Sequence, residues 1–383
     1  MAAIHLPRTI RIGGGALNEL PEVLSAAGLS RPLIVTDGWI AGCGILERVE
    51  ALLAGAGLSA RAFTGVVPDP TVDSIEAGCA FLAESEHDCV IGLGGGSPID
   101  SAKMIAVKGD RSIPALKAPH LEDAPGLPII AVPTTAGTGS EATRFTIITD
   151  TATDEKMLCA GLAYLPQIAV VDFELTLTKP ARLTADTGID SLVHAVEAYV
   201  SKRANPFADS MALSAMRLIW PNLPRACADP QDRAAREALM LGALQGGIAF
   251  SNSSVALVHG MSRPVGAHFH VAHGLSNAML MPLVTRWSAP AALPRYADCA
   301  RAIGVAGDGE SDQSAVGRLV EALEQINADL KVPTPAGYGI AKSRWDELIP
   351  LMASQALASG SPANNPRVPE AAEIEELYRA AWG

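Results

Sequence analysis

The feature that most restricts the fold is an alternation, in the first half of the chain, of short apolar β-branched runs with longer amphipathic stretches. Strands are predicted at residues 32–36, 60–63, 89–93 and 128–132, and helices at 44–56, 71–84 and from about residue 98. Strands that are apolar throughout are typical of a parallel sheet covered by helices on both faces. Right-handed crossovers place the loops after these strands along one edge of the sheet, where ligands bind.

The second half of the chain has a different pattern. Helical periodicity dominates residues 185–201, 206–226, 233–249 and 314–328, and β-branched runs are few. A chain of 383 residues is long enough for two domains. We therefore predict an α/β domain over residues 1–178, with a parallel sheet flanked by helices, and an all-α domain over residues 179–383.

Composition excludes several classes of protein. The chain is 49% hydrophobic and 18% charged, which is typical of a globular protein. A net charge of -12 without a basic cluster argues against binding to nucleic acid or to a membrane surface. The start of the chain lacks the apolar core of a secretory signal, and no apolar stretch is long enough to span a membrane. Six scattered cysteines without a CxxC pair favour reduced thiols, and we expect a cytoplasmic protein.

A glycine-rich loop follows the third predicted strand, in the sequence LGGGSPIDSAK from Leu93 to Lys103. Glycines let a ligand approach the backbone closely, and Ser97 and Pro98 are predicted as the cap and first residue of a helix. Unpaired amides at the positive end of a helix suit a pyrophosphate. The sequence matches neither GxGxxG nor the P-loop, so a tight turn without a ligand is the alternative.

A second loop of small and hydroxyl residues, PTTAGTGSE from Pro133 to Glu141, follows the fourth strand. Its hydroxyls can contact ribose, phosphate or a carboxamide, and two such loops at adjacent strand ends favour a dinucleotide. Asp37 ends the first strand, where a carboxylate can bind a ribose hydroxyl and repel a 2'-phosphate, favouring NAD over NADP. The alternatives are an ordinary polar loop and a turn aspartate.

Aspartate and histidine residues in the second half suggest a metal site. Asp190 and His194 are spaced i and i+4, so they share one face of the predicted helix, with a plain Asp–His hydrogen bond as the alternative. His259 and His273 would lie about 21 Å apart in one continuous helix. Pro264 and Gly266 are predicted to break that helix and let the chain fold back. One aspartate and three histidines suit iron(II) or zinc.

Together these motifs resemble the iron-containing, or group III, alcohol dehydrogenase family. The resemblance lies in GGGSPIDSAK (94–103), PTTAGTGSEAT (133–143), GIDSLVHAVEAY (188–199) and HGMSRPVGAHFHVAHGLSNAMLMP (259–282), with weaker echoes in VVPDPT (66–71) and NPR (365–367). It covers nearly the whole chain and implies the two-domain architecture shared with dehydroquinate synthase, with the active site in the cleft between the domains.

The resemblance implies the following site residues. The divalent metal, iron(II) or alternatively zinc, is bound by Asp190, His194, His259 and His273. NAD is contacted by Asp37, Asp69, Gly95, Gly96, Ser97, Asp100, Thr134, Thr135, Thr138 and Lys156. Asp69 stands where the family often has asparagine. A homodimer is expected because dimers are common among relatives.

One position departs from the family. Relatives that reduce simple aldehydes often carry a second histidine four residues after the first metal-binding histidine of this motif, where this chain has Arg263. An arginine stays protonated and cannot relay protons near neutral pH. Three alternatives stay open: His268 or His270 provides the relay, Arg263 binds an anionic substrate, or Arg263 pairs with a carboxylate.

The predicted function is hydride transfer between NAD(H) and a small alcohol or aldehyde, or a hydroxy acid and oxo acid, with the metal polarising the substrate oxygen. Alternatives in the same superfamily are a glycerol-dehydrogenase-like zinc enzyme and a maleylacetate-reductase-like enzyme, although the latter typically lacks the full metal set. A dehydroquinate-synthase-like lyase needs basic residues that are not seen near the metal motifs. A non-catalytic NAD-binding protein would be expected to have a degraded metal site.

Overall fold

Eight β-strands form in the part of the chain that the computed structural model describes, residues 2–153 and 155–383. They are β1 (Thr9–Ile12), β2 (Pro32–Asp37), β3 (Arg61–Val66), β4 (Cys89–Gly94), β5 (Ile129–Pro133), β6 (Phe145–Asp150), β7 (Glu155–Ala160) and β8 (Ile168–Val171). Six strands form one parallel sheet in the order β1-β8-β5-β4-β2-β3, and β6 pairs with β7 in an antiparallel ribbon. The chain divides into two compact units, one of His5–Lys179 and one of Pro180–Gly383 together with residues 2–4, and all eight strands lie in the first.

Helices cover both faces of the parallel sheet, as the apolar strands predicted. They are α1 (Leu20–Ala26), α2 (Gly38–Gly42), α3 (Ile45–Gly55), α4 (Val72–Ala83) and α5 (Gly96–Val107). Alternate residues of each strand point to opposite faces, so Ile34 packs with the α1 and α3 side, whereas Leu33 packs with the α4 and α5 side. Each fully buried aliphatic side chain contributes about 1.5–3 kcal/mol to the free energy of unfolding.

The predicted strands are confirmed as β2, β3, β4 and β5, but four strands were missed. β1 is an edge strand of only four residues that contains Arg11, so its sequence lacks a buried run. β6 and β7 form a two-stranded ribbon outside the main sheet, and each mixes buried with partly buried residues. β8 is a fully buried run of four residues, which is the lower limit of length for a predicted buried strand.

The strand order determines where a ligand can bind. From β2 the chain moves outward to β3 and then returns to β4 on the other side of β2, so the winding direction reverses between β2 and β4. In open α/β sheets, ligands bind beyond the carboxyl ends of the strands at such a reversal. Those two ends carry Asp37 and Gly94. The Thr36 hydroxyl donates to the Leu93 carbonyl over 2.7 Å and ties the two strand ends together.

The second unit is all-helical across residues 180–383, as predicted. Its helices are α6 (Ala181–Val200), α7 (Pro206–Ala228), α8 (Arg233–Ser251), α9 (Leu257–Phe269), α10 (His273–Ser288), α11 (Leu293–Ala302), α12 (Asp312–Asp329), α13 (Pro335–Tyr338), α14 (Lys342–Ala358) and α15 (Ala371–Ala381). Residues 188–200 of α6 are all buried, and α6 packs against α7, α8 and α10. Within the described ranges, none of the helices is long and apolar enough to cross a membrane.

Candidate functional site

Helix α6 carries three polar side chains on one buried face. Asp190, His194 and Glu197 are spaced i, i+4 and i+7, which places them in line along the helix. They are 2%, 4% and 4% exposed. Buried ionisable groups are stable only when other polar groups or ions compensate them, so this face requires partners.

The partners come from α9 and α10, where His259 and His273 approach the same carboxylate. Asp190 Oδ1 lies 3.6 Å from His259 Nε2, 3.7 Å from His273 Nε2 and 4.0 Å from His194 Nε2. The rings of His194 and His259 stack with their centroids 4.5 Å apart. The ligand atoms of Asp190, His259 and His273 all lie within 4.8 Å of one another. The structure thus brings together all four residues predicted to bind metal.

The chain does fold back between His259 and His273, but the predicted break is in the wrong place. Helix α9 runs through Pro264 and Gly266 and ends at Phe269. Its C-cap, His270, adopts a left-handed conformation with φ of 53°, and α10 begins three residues later. A proline costs about 3 kcal/mol inside a helix. The packing of the buried residues around Pro264 outweighs that cost.

Glu197, which was not among the predicted site residues, fixes the orientation of His259. Glu197 Oε2 lies 2.7 Å from His259 Nδ1, and the two carboxylate oxygens also accept hydrogen bonds from the Ala256 and Val258 amides. A proton held on Nδ1 leaves the Nε2 lone pair free for a cation. The i+7 spacing from Asp190 is the signal that identifies Glu197.

Asn277 is a second missed residue, one helical turn after His273 on α10. Its Nδ2 donates to Asp190 Oδ1 over 2.6 Å and lies 3.3 Å from the Nε2 atoms of His259 and His273. Its Oδ1 is buried without a hydrogen-bond partner. The amide therefore holds the Asp190 carboxylate in place within the cluster.

The charges in the cluster are mutually stabilising. Burial opposes ionisation of Asp190, but His194, His273 and His259 outweigh it and hold the pKa of this carboxyl well below its usual range. Burial alone would lower the pKa of His259, yet the Asp190 and Glu197 carboxylates raise it. A buried carboxylate with three imidazoles fits a divalent transition ion by its donor chemistry. The His273 side chain is 29% exposed, so the cluster is accessible from one side.

The glycine loop joins β4 directly to α5. Gly94 has a φ of 149°, which lets the backbone turn at the strand end, and Gly95 is the N-cap. The prediction that Ser97 caps the helix is wrong, because the turn at Gly94 and Gly95 starts the helix at Gly96 and leaves Ser97 in its first turn. The first-turn amides of an α-helix have no partner within the helix, so they remain available to an anion.

The threonine loop lies against the glycine loop. A Cβ built on Gly96 would lie 2.9 Å from Thr138 Cγ2, and one on Gly95 would lie 3.4 Å from Thr135 Oγ1. The Thr134 amide donates to the Gly94 carbonyl over 2.8 Å, while the Thr134 hydroxyl is buried without a hydrogen-bond partner. An unpartnered buried hydroxyl beside two touching loops fits a polar ligand such as a nucleotide.

Asp37 lies at the end of β2, at the reversal of the sheet. Its Oδ1 accepts a hydrogen bond from the Ile40 amide over 2.9 Å and caps α2, so Asp37 has the turn role that the sequence left open. Within the described ranges, no hydrogen bond engages its Oδ2. The cap therefore leaves one carboxylate oxygen free for a ribose.

Buried hydrogen bonds from α5, which follows the glycine loop, hold the threonine loop against it. They are made by Asp100 and Lys103, which lie one turn apart on α5. Asp100 accepts hydrogen bonds from the Ser140 hydroxyl at 2.7 Å and the Ile147 amide at 3.0 Å. Lys103 is fully buried, and its Nζ donates to Ser140 and to residues 143 and 145. Both oxygens of Asp100 are engaged within the chain, so its predicted NAD contact stays a prediction. Lys103 belongs to the same motif but was not among the predicted site residues.

Asp69 and Lys156 form an ion pair. Lys156 Nζ on β7 lies 2.9 Å from Asp69 Oδ1, and Asp69 has a left-handed φ of 51° just before the N-cap of α4. The Lys156 side chain is 8% exposed and that of Asp69 is 57% exposed. The pair fixes the Lys156 ammonium beside the exposed loop of Asp69.

Comparison with known proteins decides the family. Residues 7–173 match the family model of iron-containing alcohol dehydrogenase, and residues 184–382 match the C-terminal model of the Fe-containing alcohol dehydrogenase family. The chain belongs to this family. It is therefore an enzyme, an oxidoreductase of the alcohol dehydrogenase type, and the predicted fold class and family are both confirmed.

Relatives match the chain over its whole length. It is 37% identical to long-chain-alcohol dehydrogenase 1 of Geobacillus thermodenitrificans, covering 100% of this chain and 97% of that one. It is 35% identical to lactaldehyde reductase of Escherichia coli, covering 98% of both. A crystal structure of 1,3-propanediol oxidoreductase superposes with a TM-score of 0.95 at 33% identity, covering 100% of both chains. The family thus includes proteins named for quite different alcohols.

The three residues predicted as relay or substrate contacts lie in different surroundings. His268 is nine residues after His259, about half a turn out of phase, and its Nε2 lies 2.8 Å from Gln355 Oε1. His270 is exposed at the end of α9. Among the described residues, neither is hydrogen-bonded or ion-paired to Asp190, His194, His259 or His273, and a relay role for either stays a prediction. Arg263 is one turn from His259 on α9.

Proposed function

We propose that this family member transfers a hydride between NAD(H) and a small alcohol or aldehyde, or between a hydroxy acid and oxo acid, with a divalent cation held by Asp190, His194, His259 and His273. The observation that carries the proposal is the convergence of these four side chains around Asp190 Oδ1. Iron(II) is the proposed cation, with zinc as the alternative that the same ligands accept.

When bound, the cation supplies a Lewis acid that stabilises negative charge developing on the substrate oxygen. The chain's own residues prepare the site. Glu197 keeps His259 in the tautomer that leaves Nε2 free, and Asn277 holds the Asp190 carboxylate in place. Both contacts are buried, so solvent does not compete for them.

The proposed NAD contacts all lie in the first unit, so residues 1–178 are the proposed NAD-binding domain and residues 179–383 the metal-binding domain. The pyrophosphate is placed on the first-turn amides of α5, which the glycine loop exposes. Hydroxyls of the threonine loop and the Lys156 ammonium add polar contacts. The proposed contacts are Asp37, Asp69, Gly95, Gly96, Ser97, Asp100, Thr134, Thr135, Thr138 and Lys156.

We also propose that the protein is a cytoplasmic homodimer. Light scattering, which gives the molar mass in solution, tests whether it is a dimer.

Removing the metal tests the function. We expect dialysis against a chelator to lower NAD-linked turnover of short alcohols by more than about 100-fold, because the cation supplies several kcal/mol of transition-state stabilisation. Adding iron(II) back should restore the rate, with zinc(II) as the comparison. Chelated protein that is free of metal by elemental analysis yet fully active would refute the proposal.

Cofactor choice is expected to depend on the charge of Asp37. Replacing Asp37 with asparagine should raise the ratio of kcat/KM for NADP over NAD by about 10-fold or more, because a carboxylate repels the 2'-phosphate. Asp37→Gly should act in the same direction but also lose the α2 cap, at about 1 kcal/mol of stability. Steady-state kinetics with both cofactors, beside thermal unfolding, separate charge from cap. Unchanged discrimination in both variants would leave Asp37 as a turn residue only.

A further inference from the structure

Arg263 lies on the same side of α9 as His259, one of the four proposed metal ligands. At about 100° per residue, its side chain leaves the helix about 40° from His259 and about 60° from Gly260. Gly260 faces Pro362, since a Cβ there would lie 2.7 Å from Pro362 Cγ. Arg263 therefore lies between the cluster and the segment at Ser361, and its Nη1 donates to Ser361 Oγ over 3.1 Å.

Within the described part of the chain, the Arg263 guanidinium has no counter-ion. Among the described residues, no carboxylate oxygen lies within 4.0 Å of an Arg263 side-chain nitrogen. The Arg263 Nε is buried without a hydrogen-bond partner. Glu197 is the carboxylate whose charge acts on Arg263, but its oxygens already accept from His259 and two backbone amides. The alternative in which Arg263 pairs with a nearby carboxylate is therefore not what the structure shows.

A guanidinium that is partly removed from water and has no counter-ion is energetically unfavourable unless an anion pairs with it. Buried charges in proteins are paired or hydrogen-bonded, and Arg263 has five N–H donors with one described hydrogen bond. Burial lowers the pKa of Arg263 to about 10, with Glu197 opposing the change, so the side chain keeps its charge at neutral pH. Because the residues that the structure describes supply no anionic partner, the guanidinium is available to an anion from outside the chain.

We infer that Arg263 binds the anionic group of the substrate, and that the substrate is a short aldehyde acid or the corresponding hydroxy acid. The inference rests on the proposed function, because it places the reacting oxygen at the cluster of Asp190 and the three histidines. The planar fork of a guanidinium matches a carboxylate in bidentate geometry. Side chains at i and i+4 are about 6 Å apart at Cβ, which favours a substrate of roughly two to four carbon atoms.

Matched aldehydes test this inference. With iron(II)-loaded enzyme and NADH, 4-oxobutanoate should be reduced with a higher kcat/KM than butanal, and glyoxylate with a higher value than acetaldehyde. Arg263→Gln should lower the ratio of kcat/KM for 4-oxobutanoate over butanal by about 10- to 100-fold, the range expected for lost charge-assisted hydrogen bonds. Arg263→Lys keeps the charge and should recover part of the ratio. Arg286→Gln, at an exposed arginine of α10 paired with Glu324, is the matched control and should leave the ratio unchanged.

Binding without turnover separates the inference from the proposed function. Calorimetry compares butanoate with butanamide, its neutral isostere. Butanoate should bind to the wild type, and its affinity should fall by about 10-fold or more in Arg263→Gln. Thermal unfolding checks that the variant is folded. Equal changes for 4-oxobutanoate and butanal in Arg263→Gln would overturn the inference and leave the proposed function standing. Arg263-dependent butanoate binding without reduction of any aldehyde would support anion binding by Arg263 but overturn both the proposed substrate and the proposed function. Butanoate binding equal in wild type and Arg263→Gln would overturn the inference.

Discussion

Replacing Asp190 with asparagine is expected to lower the affinity for the divalent cation by more than about 100-fold and kcat/KM by about 1,000-fold. Loss of a supporting residue around a metal costs about 10- to 100-fold in affinity, and Asp190 is the only anionic group among the four proposed ligands. Its Oδ1 is the atom that His259 and His273 both approach, at 3.6 Å and 3.7 Å. The loss in kcat/KM corresponds to several kcal/mol of transition-state stabilisation.

The measurements for Asp190→Asn are metal content after dialysis against graded chelator and steady-state kinetics with a short alcohol. The variant is expected to fold, because asparagine keeps the Oδ1 acceptor that Asn277 Nδ2 contacts at 2.6 Å. Asp346→Asn, at an exposed aspartate paired with Lys342 on α14, is the matched control and should change neither quantity. An Asp190→Asn protein that holds one cation per chain with wild-type affinity would show that the cluster is not the metal site.

The central strands β2, β4 and β5 could be predicted because they are apolar and buried on both faces. Burial of that kind makes a continuous run in the sequence, as in residues 89–93, and requires no knowledge of the partner strands. The ribbon of β6 and β7 could not be found in this way, because its pairing is between two modestly apolar segments. Edge strand β1 was missed for a related reason, since its stability comes from pairing with β8.

The convergence of Asp190 with the three histidines could be predicted only in part. The i, i+4 spacing of Asp190 and His194 is local, so the helix alone places them together. The approach of His273 to Asp190 depends on a chain reversal at His270, and the sequence offered Pro264 as a more obvious break. Tertiary packing overrode the local preference of that proline.

The residues that support the site were harder to find than the proposed ligands. Glu197 and Asn277 each lie one turn or so from a proposed ligand, but a glutamate or asparagine on a helix is usually solvent-exposed. Only burial shows that these two side chains serve other side chains. Helical spacing from a suspected ligand is the signal that was available.

The second large effect is expected in the first unit, where Lys103→Met should lower the free energy of unfolding by about 3–5 kcal/mol. Lys103 Nζ donates to the Ser140 hydroxyl at 2.9 Å and to the Phe145 carbonyl at 2.7 Å, and the side chain is fully buried. Methionine has a similar length but no donor, so it leaves these acceptors and the nearby Asp100 carboxylate without compensation. Chemical denaturation monitored by circular dichroism measures the change. The control is Lys117→Met, at a partly exposed lysine paired with Glu155, which should lose at most about 1 kcal/mol.

The same lysine should give stability a dependence on pH. Burial lowers the pKa of Lys103 to about 8, with Asp100 and Glu141 opposing the change, whereas in the unfolded chain its pKa is 10.5. Between these values the unfolded chain binds more protons than the folded one, so the contribution of Lys103 to stability rises as pH increases from about 8 to 10.5. Lys179, whose pKa is also lowered to about 8 by burial, contributes in the same direction and remains in the variant. The stability of Lys103→Met should therefore rise less steeply over this range than that of the wild type. Equal slopes, together with a loss below about 1 kcal/mol, would mean that Lys103 is neither desolvated nor required to hold the two loops together.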